Sequence, residues 1–540
     1  MSDEQWEQLL RTRRQAVAGL FGIGAAAAGI SSLPANASTR PRESRLASRS
    51  PVEGIFNVRQ FGARGDGKAL DTRAINRAIE AAADAGGGVV RFPAGNYLSF
   101  SIRLKSNVAI WFDPGATVIG AEPSAGAGYD APEPGPGNHY EDYGHRHWHN
   151  ALLWGVGLEN IALLGPGLIY GKGLLRTMGG NPVPGHGDKC ISLKDCHNVT
   201  IRDISILHGG HFGILATGVD NLTIDNIKID TNRDGMDIDC CKNVRLSNLT
   251  VNSPWDDAIV LKSSYALNYA RPTESVAISN CMVSGGYQEG TLLDGTFKPF
   301  PAGARVPHTG RIKFGTESNG GFKNITISNC IFESCAGLAL ETVDGALLED
   351  VSISNITMRN ILGGGPIFLR LGSRMRGPAG SAIGQLRRVN ISGVAVSSAP
   401  SAFCSVLSGI PGHAIEDVRL SDITIVSRGG GTLAEAALKP REKANHYPEP
   451  WMFGPLPAYG FYIRHVKRLT MANIEFRILA PEARPAIVLD DAEGADFIHL
   501  KAPLSLSGRT FALSNVRDFD VALSRPVPDT YFSRVTTESL

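Results

Sequence analysis

The sequence predicts an all-β protein folded as a right-handed parallel β-helix, a solenoid of short strands, with an N-terminal helical cap. A seven-residue phrase that alternates apolar and polar residues recurs nine times between residues 198 and 474. Its shortest start-to-start spacings are 22 and 23 residues. Alternation with period two indicates strands, and a short regular period indicates a solenoid. One helical pattern precedes the repeats and supplies the cap.

The first residues resemble a bacterial twin-arginine export signal. Arg13 and Arg14 precede a Gly/Ala-rich apolar core, and the small residues Ala35-Asn36-Ala37 resemble a cleavage site. We therefore expect a signal peptide over residues 1–37 and a linker over 38–52, in a protein that is periplasmic or secreted. A disordered tail or one amphipathic helix is the alternative. Residues 53–540 are predicted to form a single β-helix domain.

The composition excludes several classes of partner. Of 540 residues, 43% are hydrophobic and 19% charged, and the formal net charge is +1. Such a balance gives no field that would attract nucleic acid or a membrane surface. After the N-terminus there is no apolar run long enough to span a membrane, and we expect a monomer. The eight cysteines are too few for a disulfide framework, and their pairing stays open.

The helical cap is predicted from the stretch "DTRAINRAIEAAADAGGG". Asp71 is a candidate N-cap, and Gly86 to Gly88 would end the helix. The apolar residues between them recur at helical spacing: Ile75, Ala78, Ile79 and Ala82. A helix over the first coil would cover the open edge that a solenoid cannot leave exposed.

The repeats define the coils. They read "NVTIRDI" at 198, "NLTIDNI" at 221, "NVRLSNL" at 243, "SVAISNC" at 275, "NITISNC" at 324, "DVSISNI" at 350, "RVNISGV" at 388, "DVRLSDI" at 417 and "RLTMANI" at 468. We expect parallel stacking with Asn ladders, each amide bonding turn backbone groups of the next coil. A propeller fits less well, because its blades need about 40 residues.

Three carboxylates stand out against these repeats. Asp234 and Asp256 are 22 residues apart, so we expect them on neighbouring coils, one above the other, about 4.8 Å apart. Asp257 follows at once and would join them. Like charges this close raise at least one pKa, as a general acid near neutral pH requires. A calcium site and a solvated acidic ladder are the alternatives.

The same residues carry a family resemblance. "NRDGMD", followed one coil later by "DDAIVLKS", resembles the Asn-Thr-Asp-Gly and Asp-Asp signatures of family 28 glycoside hydrolases, the polygalacturonase group. The segment from "FNVRQFGARGDGKALDTRAINRAIE" to "FPAGNYL" is similar to the N-terminal segment of that group. "GTESNGG" and "GLALETVDG" match in order and spacing, so the resemblance covers nearly all of the predicted domain.

The resemblance implies a function. The family hydrolyses α-galacturonosyl linkages in pectic polysaccharides such as polygalacturonan or rhamnogalacturonan, by single displacement with inversion and without metal or cofactor. Asp256 would then be the general acid, and Asp234 and Asp257 would hold and deprotonate the attacking water. Inverting enzymes generally separate their carboxyl groups by about 6.5–9.5 Å, which is wider than one coil step. On this point we follow the resemblance.

The sequence also departs from the family. Gly315-Thr316-Glu317 stands where polygalacturonases carry Gly-His-Gly, and Ala339-Leu340-Glu341 stands where they carry Arg-Ile-Lys. Arg311-Ile312-Lys313 precedes the Glu317 motif, out of the family's order, and is interpreted as a coincidence at a strand edge. We expect Glu317 and Glu341 to contact substrate. A Glu that replaces a cation would repel a uronate, so the sugar bound there is hypothesised to be neutral, such as rhamnose.

Other side chains are candidates with open alternatives. Lys262 either pairs with a substrate carboxylate or neutralises the acidic patch. His211 either lines the cleft or is a hydrogen-bonded turn histidine. The "HRHWH" stretch, which carries His145, His147 and His149, suggests zinc, but no acidic or thiol partner follows at ligand spacing. A loop or an aromatic contact to sugar is the favoured interpretation.

Two insertions, about 282–310 and 437–460, should decide between internal and terminal cleavage. The second has four aromatic residues on which sugars could stack, or which could pack as a lid: Tyr447, Trp451, Phe453 and Tyr459. Two functions compete with hydrolysis. A pectate-type lyase on the same fold would need Ca²⁺ and a basic proton abstractor, and a non-catalytic carbohydrate-binding β-helix would bind without turnover.

Overall fold

The computed structural model describes residues 54–124, 126–134, 140–176 and 181–540. The predicted export signal and linker, residues 1–37 and 38–52, lie outside this part of the chain and remain predictions. Within the described residues, 34 strands form one continuous sheet. The sheet winds into coils with three faces, because each strand pairs with the equivalent strand one coil away.

The first face contains the candidate site and is called the site face. Its strands stack in parallel. They are β5 (Ile102–Arg103), β8 (Leu153–Val156), β11 (Lys189–Lys194), β14 (Phe212–Thr217), β17 (Asp234–Asp239), β20 (Ile259–Ser263), β23 (Ile312–Ser318), β25 (Leu338–Thr342), β27 (Ile367–Leu371), β29 (Ser405–Ser408) and the start of β31 (Phe461–Ile478).

The second face contains the repeated phrases. Its strands are β1 (Ile55–Asn57), β3 (Gly88–Phe92), β6 (Val108–Phe112), β9 (Glu159–Leu164), β12 (His197–Arg202), β15 (Asp220–Asp225), β18 (Lys242–Ser247), β21 (Thr273–Ser279), β24 (Phe322–Glu333), β26 (Leu347–Arg359), β28 (Gln385–Ala399), β30 (Ile415–Ser427), the middle of β31, β32 (Ile487–Ile498) and β33 (Phe511–Ala522). An antiparallel strand, β34 (Thr530–Ser539), ends it.

The third face is the shortest. Its strands are β2 (Asp66–Leu70), β4 (Gly95–Ser99), β7 (Ala116–Gly120), β10 (Leu168–Tyr170), β13 (Ser205–Leu207), β16 (Lys228–Asp230), β19 (Thr250–Asn252) and β22 (Met282–Ser284). From β24 onward the second and third faces share single long strands, since β22 pairs with the second half of β24.

The repeat spacing sets the register of the coils. Val199 pairs with Leu222, and Leu222 pairs with Val244, which reproduces the 23- and 22-residue spacings of the sequence. Val244 pairs in turn with Val276, and Val276 with Ile325, across the longer spacings. These inward residues are buried, so each coil covers the apolar side chains of the next. The predicted strand solenoid is therefore confirmed.

Asparagine ladders run along the bends between faces, with one difference from the prediction. Asn221 donates its amide N–H to the side-chain oxygen of Asn198 at 3.0 Å, and Asn243 donates to Asn221 at 3.3 Å. The ladder thus joins side chain to side chain, rather than side chain to turn backbone. All three residues have positive φ, a conformation that Asn tolerates better than most residues.

The helix α1 (Thr72–Asp84) covers the first coils as predicted. Its buried residues include the four predicted ones: Ile75, Ala78, Ile79 and Ala82. Asp71 is the N-cap residue, as predicted, but its side chain makes no hydrogen bond to the helix. Its carboxylate accepts hydrogen bonds from the backbone N–H groups of Arg64 and Gly65 at 2.7 and 2.9 Å, and so fixes the preceding loop.

The two predicted insertions leave the solenoid close to the predicted positions. The first spans residues 285–311, since Met282–Ser284 still form β22. The second spans residues 428–460 and contains a one-turn helix α2 (Leu433–Ala436) and a 3-10 turn, Pro450–Phe453. Another 3-10 turn, Val58–Phe61, follows β1. Both insertions border the site face.

The cysteines are buried and unpaired throughout the described residues. Burial raises the pKa of several of these thiols, Cys335 and Cys404 to about 12, so they behave as small core residues. In the same part of the chain, no helix is long and apolar enough to cross a membrane.

Candidate active site

The structure brings the three predicted carboxylates together. Asp234 opens β17, while Asp256 and Asp257 lie in the turn before β20. One oxygen from each lies within 4.8 Å of the others. The stacking differs by one residue from the prediction, because Met236 pairs with Ile259 and the Gly235 N–H donates to the Asp257 carbonyl at 3.0 Å. Asp257, not Asp256, therefore continues the register from Asp234.

These carboxylates lie in a cavity of about 310 Å³. Its wall comes from the site face, from the loop before β8 and from the second insertion. The residues that line it are Asp142, Tyr143, His145, His211, Arg233, Asp234, Asp256, Asp257, Lys262, Lys313 and Tyr447. The cavity thus combines acidic, basic and aromatic side chains.

Two cations hold Asp257 ionised: Lys313, which lies in β23, and Arg311, which directly precedes β23. Arg311 Nε lies 2.7 Å and Lys313 Nζ lies 3.3 Å from its carboxylate oxygens. Although burial alone would raise it, these charges hold the pKa of Asp257 below its ordinary value. The interpretation of Arg311-Ile312-Lys313 as a coincidence was wrong. Since Ile312 and Phe314 face the core, Arg311 and Lys313 lie on the opposite side of the chain, where they reach the carboxylates.

The pKa values of Asp256 and Asp234 are raised, in contrast to that of Asp257. Burial, with the neighbouring charge of Asp257, raises the pKa of Asp256, although Arg233 at 2.7 Å acts against it. Burial and the charge of Asp256 raise the pKa of Asp234 well above its ordinary value. The side chain of Asp256 is 26% exposed, whereas Asp234 is buried. Asp256 is thus the most exposed carboxyl of the three.

Lys262 lines the cavity, and two buried carboxylates balance its charge. Its Nζ lies 2.9 Å from Glu317 and 3.4 Å from Asp237. Glu317 is fully buried and also pairs with Arg376 at 2.5 Å. Burial would raise the pKa of Glu317, but Lys262, His145 and Arg376 hold it well below its ordinary value. Glu317 therefore supports the cavity floor and does not line the cavity.

Glu341 is likewise buried beneath the cavity. Its nearest cation is Lys313, at 3.8 Å, and neither carboxylate oxygen has a hydrogen-bond partner. Burial raises its pKa to about 8, with the charge of Glu449 adding to the shift and Lys313 opposing it. The prediction that Glu317 and Glu341 contact substrate does not fit this geometry, because both side chains are fully buried and neither lines the cavity.

His211 lines the cavity, its ring against Tyr143 with centroids 5.0 Å apart. Its backbone N–H donates to the carbonyl of Asp188 at 2.7 Å. His145 belongs to the "HRHWH" stretch and donates its Nε2–H to the carboxylate of Asp237 at 2.9 Å. Despite burial, Asp237 and Glu317 raise the pKa of His145. In the described residues, these histidines join no cluster of metal-ligating side chains.

The aromatic residues of the second insertion divide between two roles. Tyr447 lines the cavity and lies near the site cations, with Lys313 Nζ 5.7 Å from its ring centre. Phe453 and Tyr459 are buried in the core, and Trp451 is 44% exposed outside the cavity wall. The prediction that these aromatic rings stack on sugars is therefore consistent with the structure only for Tyr447.

Sequence reasoning missed several cavity residues. Arg233 lies inside the "NRDGMD" motif, next to Asp234, and could have been found there. Asp142 and Tyr143 come from a loop more than 90 residues before Asp234, with no repeat to place them. Glu449 does not line the cavity but pairs with Arg311 at 2.7 Å. It lies in the second insertion, where no repeat could place it either.

Fold and site together define a class of protein. Residues 55–140 match the family described as rhamnogalacturonase A/epimerase, pectate lyase-like, and residues 177–361 match the right-handed β-helix region. The chain is thus a right-handed parallel β-helix, as predicted.

Within that class, several of the similar proteins are polygalacturonases. A "probable polygalacturonase" of Vitis vinifera is 23% identical over 318 residues, which are 56% of this chain and 60% of that protein. The family 28 exopolygalacturonase of Yersinia enterocolitica superposes with a TM-score of 0.57 at 16% identity, over 88% of this chain and 79% of that one. The Thermotoga maritima exopolygalacturonase gives 0.55 at 16%, over 90% and 95%. The resemblance to the polygalacturonase group is thereby confirmed.

Proposed function

We propose that this protein is a glycoside hydrolase that cleaves α-galacturonosyl linkages in a pectic polysaccharide. The observation that carries the proposal is the cluster of Asp234, Asp256 and Asp257, in which two carboxyls have raised pKa values and one a lowered pKa. Pairs of carboxyls pushed apart in pKa supply an acid and a base at one pH. The similarity to polygalacturonases supports the same reaction. We also propose export through residues 1–37.

In the proposed mechanism Asp256 protonates the glycosidic oxygen, because it combines a raised pKa with exposure to the cavity. Asp257, held ionised by Arg311 and Lys313, accepts a proton from the attacking water. Asp234 orients that water from the neighbouring coil. Positioned acid and base groups of this kind each contribute about 10²–10⁴-fold to rate.

Product analysis tests the hydrolase. We expect the mature protein to release saturated products from polygalacturonan or rhamnogalacturonan, and Asp256→Asn to lower kcat by about 10²–10⁴-fold. Asp225→Asn, which removes a carboxylate on the second face, is the matched control and should retain activity. Unsaturated products that absorb in the ultraviolet would instead identify a lyase, and sugar binding without turnover would identify a binding protein.

A substrate with a good leaving group separates the roles of the carboxylates. Such a group needs no protonation, so the variant that lacks the acid should regain most of its rate on an activated aryl glycoside. We expect this recovery for Asp256→Asn and not for Asp257→Asn. Recovery in Asp234→Asn instead would transfer the acid role to Asp234, whose pKa is also raised.

The stereochemistry of the reaction is a separate proposal. Oxygens within 4.8 Å of one another are closer than the roughly 6.5–9.5 Å typical of inverting enzymes. We propose inversion on the strength of the family resemblance. Proton NMR of the first-formed product should show the β-anomer from an α-linkage, and an initial α-anomer would establish retention.

A further inference from the structure

The second insertion brings a carboxylate, that of Glu449, into contact with two cations of the site, Arg311 and Lys313. Glu449 approaches Arg311 Nη2 at 2.7 Å and Lys313 Nζ at 3.3 Å. Its side chain is only 12% exposed, so the contact is largely shielded from solvent. Arg311 is fully buried, and Lys313 is a cavity-lining residue. The three side chains form one ion cluster with Asp257.

The other cations of the cavity wall are also paired. Arg233 lies 2.7 Å from Asp256, and Lys262 lies 2.9 Å from Glu317. Each lining Lys or Arg of the described cavity therefore already faces a protein carboxylate. A sugar carboxylate that entered would have to displace one of them or lose its hydration without a partner, and an unpaired buried charge is costly.

We propose that Glu449 occupies the position a substrate carboxylate would take, so that the sugar docked against Lys313 is a neutral one. This inference rests on the proposed function, because it concerns a sugar bound in the same cavity. It deepens that function by favouring a polymer in which galacturonate alternates with a neutral sugar over one made of galacturonate alone. Selectivity then comes from exclusion of the wrong sugar as much as from attraction of the right one.

Charge removal at Glu449 should reverse this preference. Glu449→Gln keeps the length of the side chain and frees Arg311 and Lys313 to receive an anion. A hydrogen bond between charged groups supports a gain in affinity of about tenfold or more. Glu442→Gln is the matched control, because it lies in the same insertion but contacts His465, at 3.1 Å, and not the site cations.

The experiment compares D-galacturonate with D-galactose, which differ in having a carboxylate or a hydroxymethyl group at C6. NMR titration gives Kd for the wild-type protein and both variants, without any need for turnover. We expect the wild type to bind galactose at least as tightly as galacturonate. We expect Glu449→Gln to gain about tenfold for galacturonate alone, and Glu442→Gln to match the wild type.

Two results would overturn the inference: a wild type that binds galacturonate tenfold more tightly than galactose, or a folded Glu449→Gln protein with no gain for galacturonate. Circular dichroism establishes folding, and if the variant does not fold, the wild-type comparison decides. Failure of the proposed function looks different, because it appears as no turnover of any pectic polymer whatever the two dissociation constants are.

Discussion

Glu341 shows how a single buried residue links the site to pH. Its carboxyl lies under Lys313, and burial raises its pKa to about 8, so it is protonated at neutral pH. Lys313 is therefore balanced by Asp257 and Glu449. The pKa of Glu341 is higher in the folded protein than its ordinary value of about 4.5. Its protonated carboxyl therefore contributes fully to stability below pH 4.5, and this contribution is lost as the pH rises toward 8.

Glu341→Gln should remove that pH dependence. Between pH 5 and 8 the folded wild type keeps Glu341 protonated, whereas the unfolded chain does not, so the wild type loses about 1.4 kcal/mol of unfolding free energy per pH unit. We expect the variant to lack this loss, so that its free energy of unfolding rises relative to the wild type by the same amount per pH unit. Urea unfolding across this range measures it, with Glu80→Gln at an exposed position of α1 as control. If the unfolding free energies of the variant and the wild type differ by the same amount at every pH, Glu341 is already ionised in the folded protein.

At the residue scale, sequence reasoning found side chains that belong to the repeat and missed those that do not. Asp234, Asp256 and Lys262 lie on coils whose spacing was readable. Arg311 and Lys313 were misjudged, because their role depends on where β23 pairs with β20 rather than on order along the chain. Glu317 was predicted to contact substrate, but it is fully buried and pairs instead with the cavity-lining Lys262.

The second insertion is an element held in place by two buried arginines. Arg370 donates to the carbonyl oxygens of Glu442 and Lys443 at 3.1 Å, and Arg464 donates to Pro440 at 3.0 Å. Both guanidinium groups also contact Ser408 Oγ. Because the same insertion carries Glu449 and Tyr447, these arginines position part of the cavity wall without touching it.

Arg370→Lys should loosen the insertion. An ammonium group cannot reproduce the planar fork that contacts both the insertion and β29. We expect trypsin to cleave after Arg441 about tenfold faster, because cleavage follows the population of the open form. We also expect KM to rise more than kcat falls. Arg387→Lys on β28 is the control. If the wild type and both variants are cleaved at the same rate, Arg370 does not position the insertion.

The insertions also mark the limit of prediction at the element scale. Their existence and approximate bounds followed from interrupted repeat spacing. Their contacts did not follow, since an aromatic-rich loop can stack on sugar or pack on the solenoid with the same composition. Phe453 packs beneath Arg464, 4.9 Å from its guanidinium carbon, and only Tyr447 reaches the cavity.

The whole molecule depends on the stacking of coils, each of which covers the apolar face of the next. The repeat made this architecture predictable, because in-register parallel pairing turns a spacing in sequence into a position in space. The ends of the stack are the exception to this regularity. Helix α1 covers the first coils, and the antiparallel strand β34 ends the last one.

The N-terminal end is where a local change should affect the entire molecule. Ile79 is fully buried between α1 and the first coils, so Ile79→Asp places a charge where it has no partner. We expect a loss of about 3–5 kcal/mol in the free energy of unfolding. We also expect association through the uncovered strand edges, measured by light scattering. Arg73→Asp changes an exposed position of the same helix and should stay monodisperse. If Ile79→Asp unfolds with the wild-type midpoint and remains monodisperse, α1 is dispensable and the solenoid protects its own first edge.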